Sequence, residues 1–212
     1  MAMTTTTRTS QPPAEAIVIG GSAGALEALS TILPALSPTL EVPVALVLHL
    51  AGDKPSYLAQ VLSARCTLAV REVEDKSPIL PRTIHVAPPG YHLLVERGGH
   101  FALSVDPPVH FCRPAIDVLF ESAADAYQAR LVAVLLTGAN EDGALGMARV
   151  KERGGTTIVQ SPAEAQVRTM PEAALRLGVA DHVLPVAGIA PLLNSLSADP
   201  ARTPSRPSLE PA

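Results

Sequence analysis

Cysteine is nearly missing from this sequence: Cys66 and Cys112 are the only two among 212 residues, too few for a disulfide framework and without zinc-ligand spacing. Free thiols suit a reducing compartment, so the expected location is cytoplasmic. Basic residues are also sparse. Sixteen Lys and Arg against twenty Asp and Glu leave a net charge of -4, with no electrostatic footprint for a polyanion, and nucleic-acid binding is disfavoured. Long apolar runs are lacking too: the best, Ala16 to Leu36, is broken by Gly20, Gly21, Ser22, Gly24, Glu27, Ser30 and Pro34, so no membrane insertion is expected. The opening MAMTTTTRTSQPPAE has no apolar core of a secretory signal. None of His85, His92, His100, His110 and His182 makes a metal-ligand spacing with a neighbouring His, Cys or acid; neither a metal nor another cofactor is expected.

Proline, by contrast, is plentiful. Of 21 prolines, four (Pro200, Pro204, Pro207, Pro211) punctuate the final thirteen residues. Residues 1–15 and 198–212 read as a disordered arm and tail around one domain, 16–197, whose 47% apolar content suffices for a single core.

Within that domain, short β-branched runs alternate with segments of helical period, the order expected of a doubly wound, mostly parallel α/β sheet of about seven strands. Strands are predicted at Ala16 to Gly20, Val42 to Leu48, Leu68 to Val73, Thr83 to Ala87, Leu131 to Leu136, Thr156 to Gln160 and Asp181 to Leu184. Helices are predicted from Gly24 to about Leu36, from near Pro55, within AIDVLFESAADAYQA, and over Ala144 to Arg153, Pro171 to Leu177 and Gly188 to Leu196. One antiparallel feature is expected: YHLLVE and HFALSV, joined through Arg97, Gly98 and Gly99, form a hairpin signal.

In an open parallel sheet the reactive groups collect at the carboxyl ends of the strands. Three residues there can form a triad: Ser22 after the first strand, His49 closing the second, and Asp142 in the loop after Leu131 to Leu136. Ser22 lies in Gly20-Gly21-Ser22-Ala23-Gly24, a G-x-S-x-G turn whose glycines allow a sharp strand-to-helix bend. The Ala23 N–H at the start of the following helix is the natural oxyanion donor. The pattern alone is weak, and its ordinary reading is a small serine in a tight turn. His49 could be a satisfied core histidine instead of a base, Asp142 an N-cap ahead of Gly143, and Asn140 and Glu141 are alternative polar groups in the same loop. A glycine turn of this kind could also hold a nucleotide phosphate, but Ser22 stands where the second glycine of G-x-G-x-x-G belongs and strand two ends in His49, not an acid.

Several separated motifs together resemble the catalytic domain of the bacterial chemotaxis protein-glutamate methylesterases, the CheB family, without its receiver domain. They are IGGSAGALEAL (Ile19 to Leu29), HVAPPGYHL (His85 to Leu93), RPAIDVLF (Arg113 to Phe120), LLTGANEDGALGM (Leu135 to Met147), GGTTIVQ (Gly154 to Gln160) and MPEAAL (Met170 to Leu175), and the likeness runs from about Ala16 to Leu193. The resemblance implies Ser22 as nucleophile, His49 as base and Asp142 as acid in a hydrolase that removes methyl groups from glutamate esters on the cytoplasmic helices of chemoreceptors. Some members also deamidate glutamine. Gly21, Ala23, Gly138, Ala139, Arg113 and Asp117 are then the expected oxyanion and cleft residues, and a receptor methyltransferase a further partner. With only about fifteen residues ahead of the first strand, phosphorylation control in cis is not expected. Four positions depart from the family pattern: Ala139 and Asn140 replace methionine and glycine in the acid loop, Cys112 stands where histidine is frequent, and Ala115 where serine is frequent. These departures raise an alternative, a catalytically degenerate relative that binds receptors or a methyltransferase as a scaffold.

Overall fold

The computed structural model describes residues 12–49 and 56–197. In chain order the elements are β1 (Ala16–Gly21), α1 (Ala25–Ile32), β2 (Val44–Leu48), α2 (Leu58–Ser63), β3 (Ala69–Glu72), β4 (Thr83–Val86), β5 (His92–Glu96), β6 (His100–Ser104), α3 (Ile116–Tyr127), β7 (Leu131–Leu135), α4 (Ala144–Glu152), β8 (Thr156–Gln160), α5 (Thr169–Arg176), β9 (His182–Leu184) and α6 (Val186–Leu196). Seven strands form one parallel sheet in the order β3-β4-β2-β1-β7-β8-β9, and β5 and β6 pair antiparallel beside it.

Every residue of β1, β2, β7 and β8 is buried, because helices cover both faces of a parallel sheet and the strands must be apolar on both. Alternate residues serve opposite layers. Ile17 and Ile19 of β1 join Leu46, Ile84, Val134 and Ile158 under α1, α2 and α6. Val18 joins Val47, Ala133, Leu135 and Val159 under α3, α4 and α5. The edge strands β3 and β9 are short and largely exposed, which limits their appeal as templates for pairing with another chain. The hairpin is fastened to α3 by the Val95 N–H donating to Ser122 Oγ at 3.1 Å.

The expected seven-stranded parallel sheet and single hairpin are found, with differences at element ends. α1 stops at Ile32, and Leu33–Ala35 tightens into a 3-10 turn where Pro34 cannot donate to the helix ladder. α5 begins at Thr169, two residues ahead of Pro171, which fits its first turn. The helix expected from near Pro55 runs over Leu58–Ser63, with Tyr57 at its N-cap; Pro55 itself lies outside the described residues. Packing reaches into the expected N-terminal arm: Ala14 N–H donates to the Leu196 carbonyl and Glu15 N–H to the Arg130 carbonyl. The remainder of that arm, residues 1–11, and the tail lie outside the described residues.

β1 is the pivot of the sheet. The chain first builds toward β2, β4 and β3 on one side, then crosses to β7, β8 and β9 on the other. The residues that follow β1 and β7, with His49 at the end of β2, therefore lie at a topological switch point, where open α/β sheets place their crevice.

Candidate active site

Ser22 occupies the turn between β1 and α1. Its N–H donates to the Thr137 carbonyl beyond β7, and its carbonyl accepts the Ala25 N–H. Gly24 adopts the left-handed conformation (φ +83°), and a Cβ there would lie 2.4 Å from Gln166 Oε1, so both torsion and space require glycine. Thr137 Oγ1 lies 2.9 Å from the Ala23 carbonyl oxygen and accepts the Val167 N–H, tying the turn to the segment ahead of α5. Gln160 holds Thr137 in turn, its Oε1 accepting the Thr137 N–H at 2.8 Å. Among the described residues, the backbone N–H of Ala23, two residues ahead of α1, makes no hydrogen bond.

His49 follows β2, and its N–H donates to the Gly21 carbonyl, which sets its backbone one residue from Ser22 across the strand pair. Its Nε2 lies 2.7 Å from Asp142 Oδ2, with the His49 side chain 10% exposed and Asp142 wholly enclosed. The same carboxylate accepts the N–H of Ile116 (2.7 Å) and of Asp117 (3.0 Å) at the start of α3. Burial alone would raise the Asp142 carboxyl, but the bonds from His49, Asp117 and Ile116 outweigh it and hold the group below the usual carboxylate range. An ionised Asp142 accepts, so Nε2 of His49 carries the proton and Nδ1 presents its lone pair.

Nδ1 is where the serine would have to bond. In this structure that position is covered by Cys112, whose Sγ lies 3.4 Å from Nδ1, while Asn140 Nδ2 donates to the same sulfur at 3.5 Å. The Ser22 hydroxyl makes no hydrogen bond among the described residues. Cys112 and Asn140, two of the positions that depart from the family pattern, thus meet each other at the base.

The remaining expected residues separate. Ala139 is exposed on the acid loop, and Gly21 ends β1 against Ala25 and Leu136. The Gly138 N–H donates to the Val167 carbonyl. The Arg113 guanidinium donates to the Val105 and Asp106 carbonyls and braces that loop. Asp117 is 4% exposed, with Oδ1 accepting the Gly146 N–H of α4 at 2.6 Å. Burial first, then the neighbouring Asp142 charge, pushes its carboxyl up to about 6 against the Gly146 bond and His110.

No metal-ligand spacing is legible in the sequence, yet the fold brings one ligand atom each of His110, Asp117 and Asp142 within 4.8 Å of one another. Both Asp142 oxygens are already committed to hydrogen bonds, so the trio reads as a buried polar network. Sequence reasoning missed Thr137 and Gln160. The signal for them was a first polar residue at the end of each apolar strand, the same feature that singled out His49.

Beside the site, Val109 and Cys112 bond each other's backbone around His110 and Phe111, both with positive φ (48° and 62°). Phe111 stands fully exposed at the tip. A cleft of about 190 Å3 opens next to it, lined by His110, Leu145, Arg176 and Leu177 among others.

The sequence profile of the CheB methylesterase family matches residues 17–193. A protein-glutamate methylesterase/protein-glutamine glutaminase of Symbiobacterium thermophilum is 42% identical over 178 residues, 84% of this chain and 49% of its own length. A Leptospira interrogans protein, named provisionally for the same two activities, is also 42% identical over 178 residues and is covered over 92% of its length. The crystal structure of the Thermotoga maritima CheB methylesterase catalytic domain superposes with a TM-score of 0.83 at 33% identity, covering 86% of this chain and 98% of that one.

Proposed function

Because the chain belongs to the CheB methylesterase family, we propose that Ser22, His49 and Asp142 hydrolyse methyl esters of glutamate side chains on the cytoplasmic helices of chemoreceptors. The enzyme class is protein-glutamate methylesterase, a carboxylic ester hydrolase. The observation that carries the residue assignment is the 2.7 Å bond between His49 Nε2 and the buried Asp142, which leaves Nδ1 as an oriented base one strand away from Ser22.

The Ser22 hydroxyl attacks the ester carbonyl carbon as His49 Nδ1 takes its proton, and the Ala23 N–H bonds the developing oxyanion. Collapse expels methanol with the proton returned from His49. Water, deprotonated by the same nitrogen, then releases the glutamate carboxylate. With a glutamine substrate the leaving group is ammonia and the acyl-enzyme is the same, so both activities in the relatives' names need only one site. Methanol requires no deep pocket, and specificity falls to the surface around the site, where Phe111, Leu145 and Leu177 are exposed enough to meet a helix. A receptor methyltransferase is a further proposed partner. Among the described residues no helix is long and apolar enough to cross a membrane.

A second reading has one observation in its favour: Cys112, not Ser22, is bonded to the base. On that reading the chain binds receptors or a methyltransferase as a scaffold. Mass spectrometry of methylated receptor peptides before and after incubation separates the two, together with labelling by a fluorophosphonate. Loss of 14 Da per ester, labelling at Ser22, and a fall on the order of 10³-fold or more in Ser22→Ala support the hydrolase. A folded protein that neither demethylates nor labels supports the scaffold.

A further inference from the structure

We propose that Cys112 is a modification site through which a low-molecular-weight disulfide switches the centre off, by forming a mixed disulfide on the sulfur that covers His49 Nδ1. The inference rests on the reading of His49 as the base for Ser22.

Three observations place the thiol there. Its sulfur is 3.4 Å from Nδ1, the one imidazole nitrogen not held by Asp142. It is only half-buried, at the end of a tight turn whose tip, Phe111, is fully exposed, so a small reagent can reach it. Asn140 donates to the sulfur from the acid loop and fixes its position. Burial and the Asp142 charge push this thiol up, so it holds its proton until a base removes it, and His49 is that base.

In the step, Cys112 Sγ attacks one sulfur of the disulfide as its proton passes to Nδ1. A new S–S bond forms, the old one breaks, and its electron pair leaves on the departing thiolate, which takes the proton from His49. The new sulfur then sits about 2.05 Å from Sγ and adds bulk beside Nδ1, the nitrogen that Ser22 needs. Serine activation stops, and a thiol reductant reverses the block.

Cys66 supplies an internal control. It is also free and half-buried, but it packs against the core layer on the other face of the sheet.

The test treats the full chain with bis(2-hydroxyethyl) disulfide, locates adducts by peptide mapping, and reads fluorophosphonate labelling of Ser22 before treatment, after it, and after dithiothreitol. An adduct at Cys112 is expected to lower labelling at least about tenfold, within the contribution typical of a general base, and dithiothreitol to restore it. Cys66→Ser should keep this response. Cys112→Ala, with Cys112→Ser as a second variant should the first fail to fold, should show none relative to its own untreated rate. The proposal is overturned if a Cys112 adduct leaves labelling intact, if only Cys66 reacts, or if the Cys112 variants are blocked as strongly as the parent. Failure of the underlying reading looks different: the untreated protein does not label, or His49→Ala labels as well as the parent.

Discussion

Asp142 Oδ2 lies 2.7 Å from the backbone nitrogen of Ile116, the same distance that separates it from His49 Nε2. One carboxylate oxygen therefore caps the start of α3 and orients the imidazole, so the geometry of the base is anchored to a helix more than sixty residues away in sequence. The expected N-cap ahead of Gly143 is not found: Gly143 itself opens α4 without a side-chain cap, and the Asp142 carboxylate bonds the first N–H groups of α3 instead.

That double duty separates two substitutions. Asp142→Asn keeps an acceptor for the helix but presents a neutral group to Nε2, so it should fold while losing about 10²- to 10⁴-fold in ester hydrolysis. Asp142→Ala strips the acceptor from two buried N–H groups and should cost a further 1–3 kcal/mol, roughly, in stability. Denaturant melts beside initial rates test this, and equal stability of the two variants would refute the cap.

Asp117 should respond to pH in the opposite sense from Asp142. Its carboxyl is raised from 3.8 to about 6, so the folded state binds more protons than the unfolded chain between those values, and folding weakens as pH climbs through that window. Asp117→Asn, which still accepts from Gly146, should gain about 1–3 kcal/mol at neutral pH and nothing below about pH 4. Asp142, held below its ordinary value, stabilises above the carboxylate range and ceases to do so as pH falls through it. Thermal melts of both proteins from pH 3.5 to 8 measure the difference, and a gain that is constant over pH would contradict it.

Gly24 and Gly178 share a left-handed backbone but not their surroundings. A Cβ on Gly24 meets Gln166 at 2.4 Å, while one on Gly178 meets nothing within 4 Å. Gly178→Ala should cost only the torsional term, about 1–2 kcal/mol. Gly24→Ala should cost more and also slow hydrolysis, since it displaces the turn that carries Ser22. Comparable stability and activity in the two variants would show that Gln166 moves aside freely.

Phe111 adds no burial to the core, so Phe111→Ala should leave the melting temperature within a degree or so. Rates on a small activated ester should be unaffected, while KM for a methylated receptor helix should rise severalfold if the aromatic ring meets that helix. An unchanged KM would remove the residue from the docking surface.

Much of this molecule is legible in its text because parallel strands covered on both faces must be apolar throughout: AIVIGG, VALVL and LVAVL announce themselves, and the first polar residue after each run marks the carboxyl end. Ser22 and His49 follow from that rule, whereas Asp142 lies five residues beyond Thr137, the polar residue that closes its strand. The partners of the Gly138 N–H and the Arg113 guanidinium were not legible, since what each bonds depends on which carbonyl the fold delivers to it, here Val167, Val105 and Asp106.

The sequence by itself determined the alternation of elements, the glycine turn and the chemical kinds of group available at the strand ends, all set by local periodicity and backbone torsion. Tertiary structure alone decided that β7 lies beside β1, that Asp142 reaches α3, and that Cys112 covers His49 across 63 residues. Contacts between distant segments depend on strand order and packing, and no local preference of a residue encodes them.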